Sequence, residues 1–114
     1  MKFLKKSLGQ NFLVDKNIIN KIINCSVFQN RDIVEIGPGK GALTKEILKK
    51  KPKSLFLIEK DNVLANDLRK EYIKNKLVKI VNNDVLKLNL EKVLKKNSLI
   101  IGNLPYNISS QILV

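Results

Sequence analysis

Between Asp32 and Lys50 the chain sets a short apolar run, Asp32–Ile36, directly before Gly37-Pro38-Gly39-Lys40-Gly41 and a segment with Leu43, Ile47 and Leu48 at helical spacing. The run has the length and composition of a buried strand. The glycines let the backbone turn sharply and pass close to a ligand, and Ala42–Lys50 reads as a helix whose amino end points back at that turn. A strand, a glycine turn and a helix in that order begin an alternation of strands and helices.

The same cycle recurs. Lys51-Pro52-Lys53 closes the helix, and Ser54–Glu59 is a second buried strand with its acid at the carboxyl end. Asp61 can cap a helix carrying Val63, Leu64, Leu68 and Tyr72; Leu77–Val81 is a third strand, Leu90–Lys96 a short helix and Leu99–Ile101 a fourth strand. Ahead of them, Asp15 caps a helix with Ile18, Ile19, Ile22 and Ile23 on one face and Val14 as a staple. Each parallel crossover needs a covering helix, so the class is α/β, a parallel sheet of four strands with flanking helices. No repeat or low-complexity linker divides the chain, which reads as one unit.

In such sheets ligands bind beyond the carboxyl ends of the strands, so four exits carry the chemistry. Gly37-x-Gly39-x-x-Ala42 satisfies a dinucleotide fingerprint, and Glu59, 18 residues past Gly41, stands where an acid grips ribose hydroxyls. A plain glycine turn with a solvated acid is the alternative. At the third exit Asp84 can accept from an adenine amino group with Val85 against the ring; read alone, it is a turn former or helix cap. At the fourth, Pro105 holds Leu104 extended, so that its carbonyl and the Asn103 side chain face outward. Two acceptors on one adenine amino group favour a pyramidal, more nucleophilic nitrogen, and Tyr106 offers a face to a base taken out of its stack.

Composition bounds the partners. With 22 Lys+Arg against 10 Asp+Glu the net charge is +12, which suits a phosphate-rich partner. Twenty of those 22 are lysines and Asn and Ile are abundant, the bias of an AT-rich genome, so charge supports an RNA partner without establishing one. A lone Cys25 and the absence of His leave no internal disulfide and no zinc pattern. The longest apolar runs, Leu55–Ile58 and Leu99–Ile101, are too short to span a bilayer, so a cytoplasmic protein without membrane or metal is expected.

Taken together, the motifs resemble the small-subunit (16S) rRNA adenine dimethyltransferase family of the KsgA type, over essentially the whole chain. Leu8-Gly9-Gln10-Asn11-Phe12-Leu13 is similar to its amino-terminal motif, Val34-Glu35-Ile36-Gly37-Pro38-Gly39 to its first cofactor motif, and Asn103-Leu104-Pro105-Tyr106-Asn107-Ile108-Ser109 to its catalytic motif. The resemblance implies a Rossmann-like fold that binds S-adenosyl-L-methionine through Asn11, Leu13, Gly37, Gly39, Glu59, Asp84 and Asn103, with Glu59 on the ribose and Asp84 at the adenine. It implies a catalytic set of Asn103, Leu104, Pro105 and Tyr106 holding the target adenine. The implied reaction dimethylates two adjacent adenines near the 3′ end of small-subunit rRNA in an assembling subunit, by a monomer without metal, with Lys5 and Lys6 on RNA phosphate.

Measured against that family, residues 1–114 correspond to the amino-terminal part of the methyltransferase domain. By that resemblance the remaining strands and a carboxyl-terminal helical domain are expected to lie beyond these residues. Ile112-Leu113-Val114 is expected in a helix following the catalytic motif, the fourth strand is expected to be an open edge, and the chain alone is expected to be marginally stable and weakly active or inactive. Three rivals stand beside this reading. A large-subunit enzyme of the macrolide-resistance type shares the first and fourth motifs; Leu8-Gly9 and Pro38 favour the small-subunit group. An NAD-dependent oxidoreductase leaves Asn103–Tyr106 without a role, and a non-catalytic RNA-binding descendant leaves Asn103 and Tyr106 unexplained.

Overall fold

The computed structural model describes residues 20–21, 23–24, 27–104 and 107–112, with only the backbone for residues 93, 103, 104 and 107–112. The elements run β1 (Asp32–Ile36), α1 (Ala42–Lys49), β2 (Ser54–Glu59), α2 (Asn62–Glu71), β3 (Val78–Asn82), α3 (Leu90–Val93), β4 (Leu99–Leu104) and β5 (Asn107–Ile112), with a 3₁₀ turn at Val85–Lys87. Positions 20, 21, 23 and 24 are helical, in agreement with the expected first helix; Asp15, Ile18, Ile19 and Ile22 lie outside the described residues.

One sheet holds all five strands in the order β3-β2-β1-β4-β5. β1 pairs in parallel with β2 and β4, and β2 with β3. The order reverses at β1, with β2 on one side and β4 on the other, and a crevice opens at such a switch point beyond the carboxyl strand ends. Period-2 alternation divides the strands between two faces. Ile33, Leu55, Leu57, Leu99 and Ile101 pack with Leu43 and Ile47 of α1, Leu68 of α2 and Phe28 in the main core, while Val34, Ile58 and Ile100 meet Phe56, Val85, Leu90 and Leu94 on the other face. Burial of side chains this size stabilises by about 1.5–3 kcal/mol each before conformational entropy is charged against it.

Local chemistry sets the boundaries. Asp61 Oδ1 accepts from the N–H groups of Val63 (2.8 Å) and Leu64 (3.0 Å) and starts α2 as the sequence suggests. The third helix is shorter than expected, ending at Val93 rather than Lys96. Leu94 is already extended, Asn97 takes a positive φ of 65°, and Ser98 Oγ both accepts from the Lys95 N–H and donates to the Lys95 carbonyl, a local bonding scheme that competes with the helix.

The stretch after Leu104 departs most from expectation: a helix is expected beyond Ser109, through Ile112-Leu113-Val114, of which Leu113 and Val114 lie outside the described residues. Residues 107–112 form a strand, not a helix, antiparallel to β4 with Asn103 opposite Ile108 and Leu104 opposite Asn107. The free edge of β4 offers a row of unpaired N–H and C=O groups, and in Asn107-Ile108-Ser109-Ser110-Gln111-Ile112, where the spacing of Ile108 and Ile112 suits helix and strand alike, ladder pairing with that edge decides. β4 is therefore an interior strand rather than an open edge, and it runs to Leu104 instead of stopping at Ile101.

Candidate functional site

Where β1 ends, Gly37, Gly39 and Gly41 all have positive φ, 68°, 58° and 85°. A side chain at Gly41 would be strained by that conformation and would meet Leu68 Cδ2 at 3.3 Å. The loop is tied to β2 through Gly37 N–H, which donates to the Ile58 carbonyl (2.8 Å). α1 begins with no side-chain cap, which leaves its first-turn N–H groups at the carboxyl end of the sheet for a ligand or water.

Glu59 is the centre of the arrangement. It is only 6 % exposed, yet it is anchored entirely by main chain: Oε1 accepts from Gly39 N–H and Oε2 from Asp61 N–H, each at 2.9 Å. One carboxylate thus fixes both the glycine loop and the entry to α2. A carboxylate has about four lone-pair sites, so two acceptor positions remain after those bonds.

The third exit is fastened to the second. Asn82 Nδ2 donates to the carbonyls of Glu59 (3.0 Å) and Lys60 (3.1 Å), and Asn83 N–H donates to the Glu59 carbonyl (3.1 Å). Asp84 follows with Oδ1 accepting from Leu86 N–H at 2.9 Å, the capping role that turn chemistry assigns to it. Val85 packs on the second face of the sheet rather than standing free. At the fourth exit Gly102 pairs with Ile36, so the Asn103 backbone stands level with Gly37 across the switch point. A Cβ at Gly102 would come within 3.1 Å of the Ile36 Cβ, which explains a glycine in mid-strand.

Of the residues singled out from sequence, the structure brings Gly37, Gly39 and Glu59 into one bonded unit, with Asp84 and the Asn103 and Leu104 backbones at the neighbouring exits. Asn11, Leu13, Pro105 and Tyr106 lie outside the described residues.

Two features escaped the sequence reading. The first is Asn82, whose amide joins two exits; its place as the last residue of a strand before Asn83-Asp84 is the signal. The second is Glu35, fully buried on the main-core face of β1, with Oε1 accepting from Thr44 Oγ1 at 2.6 Å and Oε2 without a partner among the described residues. Burial pushes its carboxyl up to about 7; the Thr44 hydroxyl opposes this and the Glu59 charge adds to it. A lone acid inside Ile33-Val34-Glu35-Ile36 was the visible cue. Tyr72, on the same core, has a buried hydroxyl without a partner, held up to about 12 by burial and then by the Glu71 and Glu35 carboxylates.

A 3-2-1-4 parallel order, a glycine turn at the switch point and an acid ending β2 define a Rossmann-like, doubly wound fold. A dimethyladenosine transferase from Plasmodium falciparum superimposes with a TM-score of 0.67 at 23 % identity, over 80 % of this chain and 32 % of that one. The ribosomal RNA adenine dimethylase family matches residues 1–114, and the chain belongs to that family. It is 47 % identical over 109 residues to ribosomal RNA small subunit methyltransferase A of Pelagibacter ubique (strain HTCC1062) and 48 % identical to that of Mycoplasmopsis pulmonis (strain UAB CTIP). These alignments cover 96 % of this chain and 41–42 % of each relative, so the chain spans about two fifths of their length.

Proposed function

We propose that residues 1–114 are the amino-terminal part of the cofactor-binding domain of an enzyme that dimethylates two adjacent adenines near the 3′ end of small-subunit rRNA. The observation that carries this reading is Glu59, buried at the exit of β2 and bonded to the glycine loop, with acceptor positions left for a pair of ribose hydroxyls. Its chemistry fits the nucleoside part of S-adenosyl-L-methionine, which when bound supplies a sulfonium methyl group for transfer to the adenine amino nitrogen. Asn11, Leu13, Gly37, Gly39, Glu59, Asp84 and Asn103 are the residues assigned to holding it.

The work of this chain's own groups is positioning. Asp84 keeps its cap through Oδ1 alone, which leaves Oδ2 as the oxygen for an adenine amino group. Asn103 and the Leu104 carbonyl accept from the amino group of the target base, Pro105 keeps Leu104 extended, and Tyr106 stacks on the base. Leu104 stands opposite Asn107 in the β4–β5 ladder, so a base at this position competes with strand pairing. Relatives named for the small subunit favour that target over the large one, and action in the cytoplasm, as a monomer on an assembling subunit, completes the reading. No helix among the described residues is long and apolar enough to cross a membrane.

A thermal melt of the chain with saturating S-adenosylhomocysteine, and with NAD as control, tests the cofactor. A ligand selective for the folded state adds about 2.7 kcal/mol at a hundredfold excess over its Kd. A shift with the homocysteine compound alone is expected; a shift with NAD alone overturns the reading.

A further inference from the structure

The amino-terminal strand ends, remote from the glycine loop, carry a different charge pattern. Lys53 precedes β2, Lys76 and Lys79 bracket the start of β3, Lys92 lies on α3 and Lys95 follows it. All five are exposed, and they line one groove of about 370 Å³ whose floor includes Val34 and Phe56. Asp32 is the acid in that lining; its Oδ1 accepts from Ser54 Oγ at 2.5 Å and lies 4.0 Å from Lys95 Nζ. A neighbouring recess continues the basic lining with Arg31 and Lys96. The carboxyl ends mix signs, with Glu59, Asp61 and Asp84 alternating with Lys40, Lys60 and Lys87.

We infer that this groove docks the sugar–phosphate backbone of RNA, at the end of the sheet opposite the reacting base. The inference rests on the rRNA reading above and adds a second contact surface to it. A composition bias alone scatters lysines evenly, whereas here five converge on one groove with one partnered acid. Exposed ammonium groups on flexible stems suit a string of hydrated phosphates better than a small anion, which calls for buried, fixed donors. The apolar floor gives the lysine stems a surface to lie on. Neighbouring strands are about 4.8 Å apart, so β1 to β3 spans about 10 Å, room for a short run of backbone phosphates.

The test is fluorescence anisotropy of the chain with a labelled hairpin from the 3′ end of small-subunit rRNA, over a range of salt. Two triple variants of equal charge change are compared: K53Q/K79Q/K95Q in the groove and K50Q/K70Q/K74Q away from it. Each lost phosphate contact lowers the salt slope by about 0.7–0.9, so the groove variant is expected to lose about two units of slope and at least about tenfold in affinity, the other variant less than about threefold. Equal losses, or no RNA binding by the unaltered chain, overturn the inference. Acetylation footprinting of the unaltered chain removes dependence on the variants: RNA should protect Lys53, Lys79 and Lys95 over Lys50 and Lys70, and the reverse pattern overturns the groove. S-adenosylhomocysteine binding, followed in parallel, keeps the two readings apart. Its presence with an unaffected groove variant sinks the groove alone; its absence with a selective groove effect sinks the cofactor reading alone.

Discussion

Glu35, next to last in β1, and Glu59, last in β2, lie on neighbouring strands and both are buried, but their surroundings differ. Glu59 is bonded through both oxygens to main-chain N–H groups of segments that border the crevice, whereas Glu35 points into the core, with one hydroxyl partner and one oxygen that has none. A carboxylate bonded to fixed N–H dipoles is held in place; one taken into an apolar core, as Glu35 is, retains its proton more strongly. Two acids a strand apart thus separate into a group held beside the crevice, where we propose that it meets the cofactor, and a group that makes stability depend on pH.

The largest effect is expected at Glu59. Glu59→Ala leaves the Gly39 and Asp61 N–H groups without their acceptor, costs about 2–4 kcal/mol of stability by analogy with other charged hydrogen bonds, and lowers S-adenosylhomocysteine affinity by at least about a hundredfold. Denaturant unfolding and calorimetry measure the two. Retained affinity in a folded variant would leave Glu59 a structural clamp only.

Glu35→Gln sharpens the contrast. With the folded pKa raised from 4.5 to about 7, the folded state holds a proton that the unfolded chain releases. That contribution is fully present below pH 4.5 and is lost as pH rises to about 7, for a total of the order of 3 kcal/mol. The variant is expected to abolish this slope while S-adenosylhomocysteine affinity changes less than about threefold. An unchanged slope between pH 5 and 7, read from urea midpoints, would show that Glu35 is charged in the fold.

The smallest effect is at Asp61, beside the Glu59 anchor. Asp61→Ala removes the α2 cap and costs about 1 kcal/mol, with the Asp61 N–H still bonded to Glu59. A loss above about 2 kcal/mol in the same urea unfolding would show that Glu59 and the cap act as one unit.

What the sequence revealed and what it hid follow the same division. Apolar runs with period-2 burial, the Gly37–Gly41 turn and the Asp61 cap each have a local physical cause, so the parallel sheet, the loop and the acid of β2 were legible from residues alone. The Glu35–Thr44 bond and the Asn82 bridge between exits depend on which strands become neighbours, and that is not a local property. The Asn107–Ile112 strand was missed because the resemblance set a helix after Ser109, while the free edge of β4 exerts its pull only once the sheet is formed. The end of α3 fell to Ser98 and Asn97, small polar residues whose bonds to nearby backbone outweigh a weak helical pattern.

The central claim is that Glu59 is the ribose acceptor of a methyl-donor site at the switch point. The most direct test is a crystal structure of the chain with S-adenosylhomocysteine. The account predicts both ribose hydroxyls within about 3 Å of the Glu59 carboxylate, with the adenine beside Asp84. A ligand bound elsewhere, or at the glycine loop with its ribose away from Glu59, would contradict it.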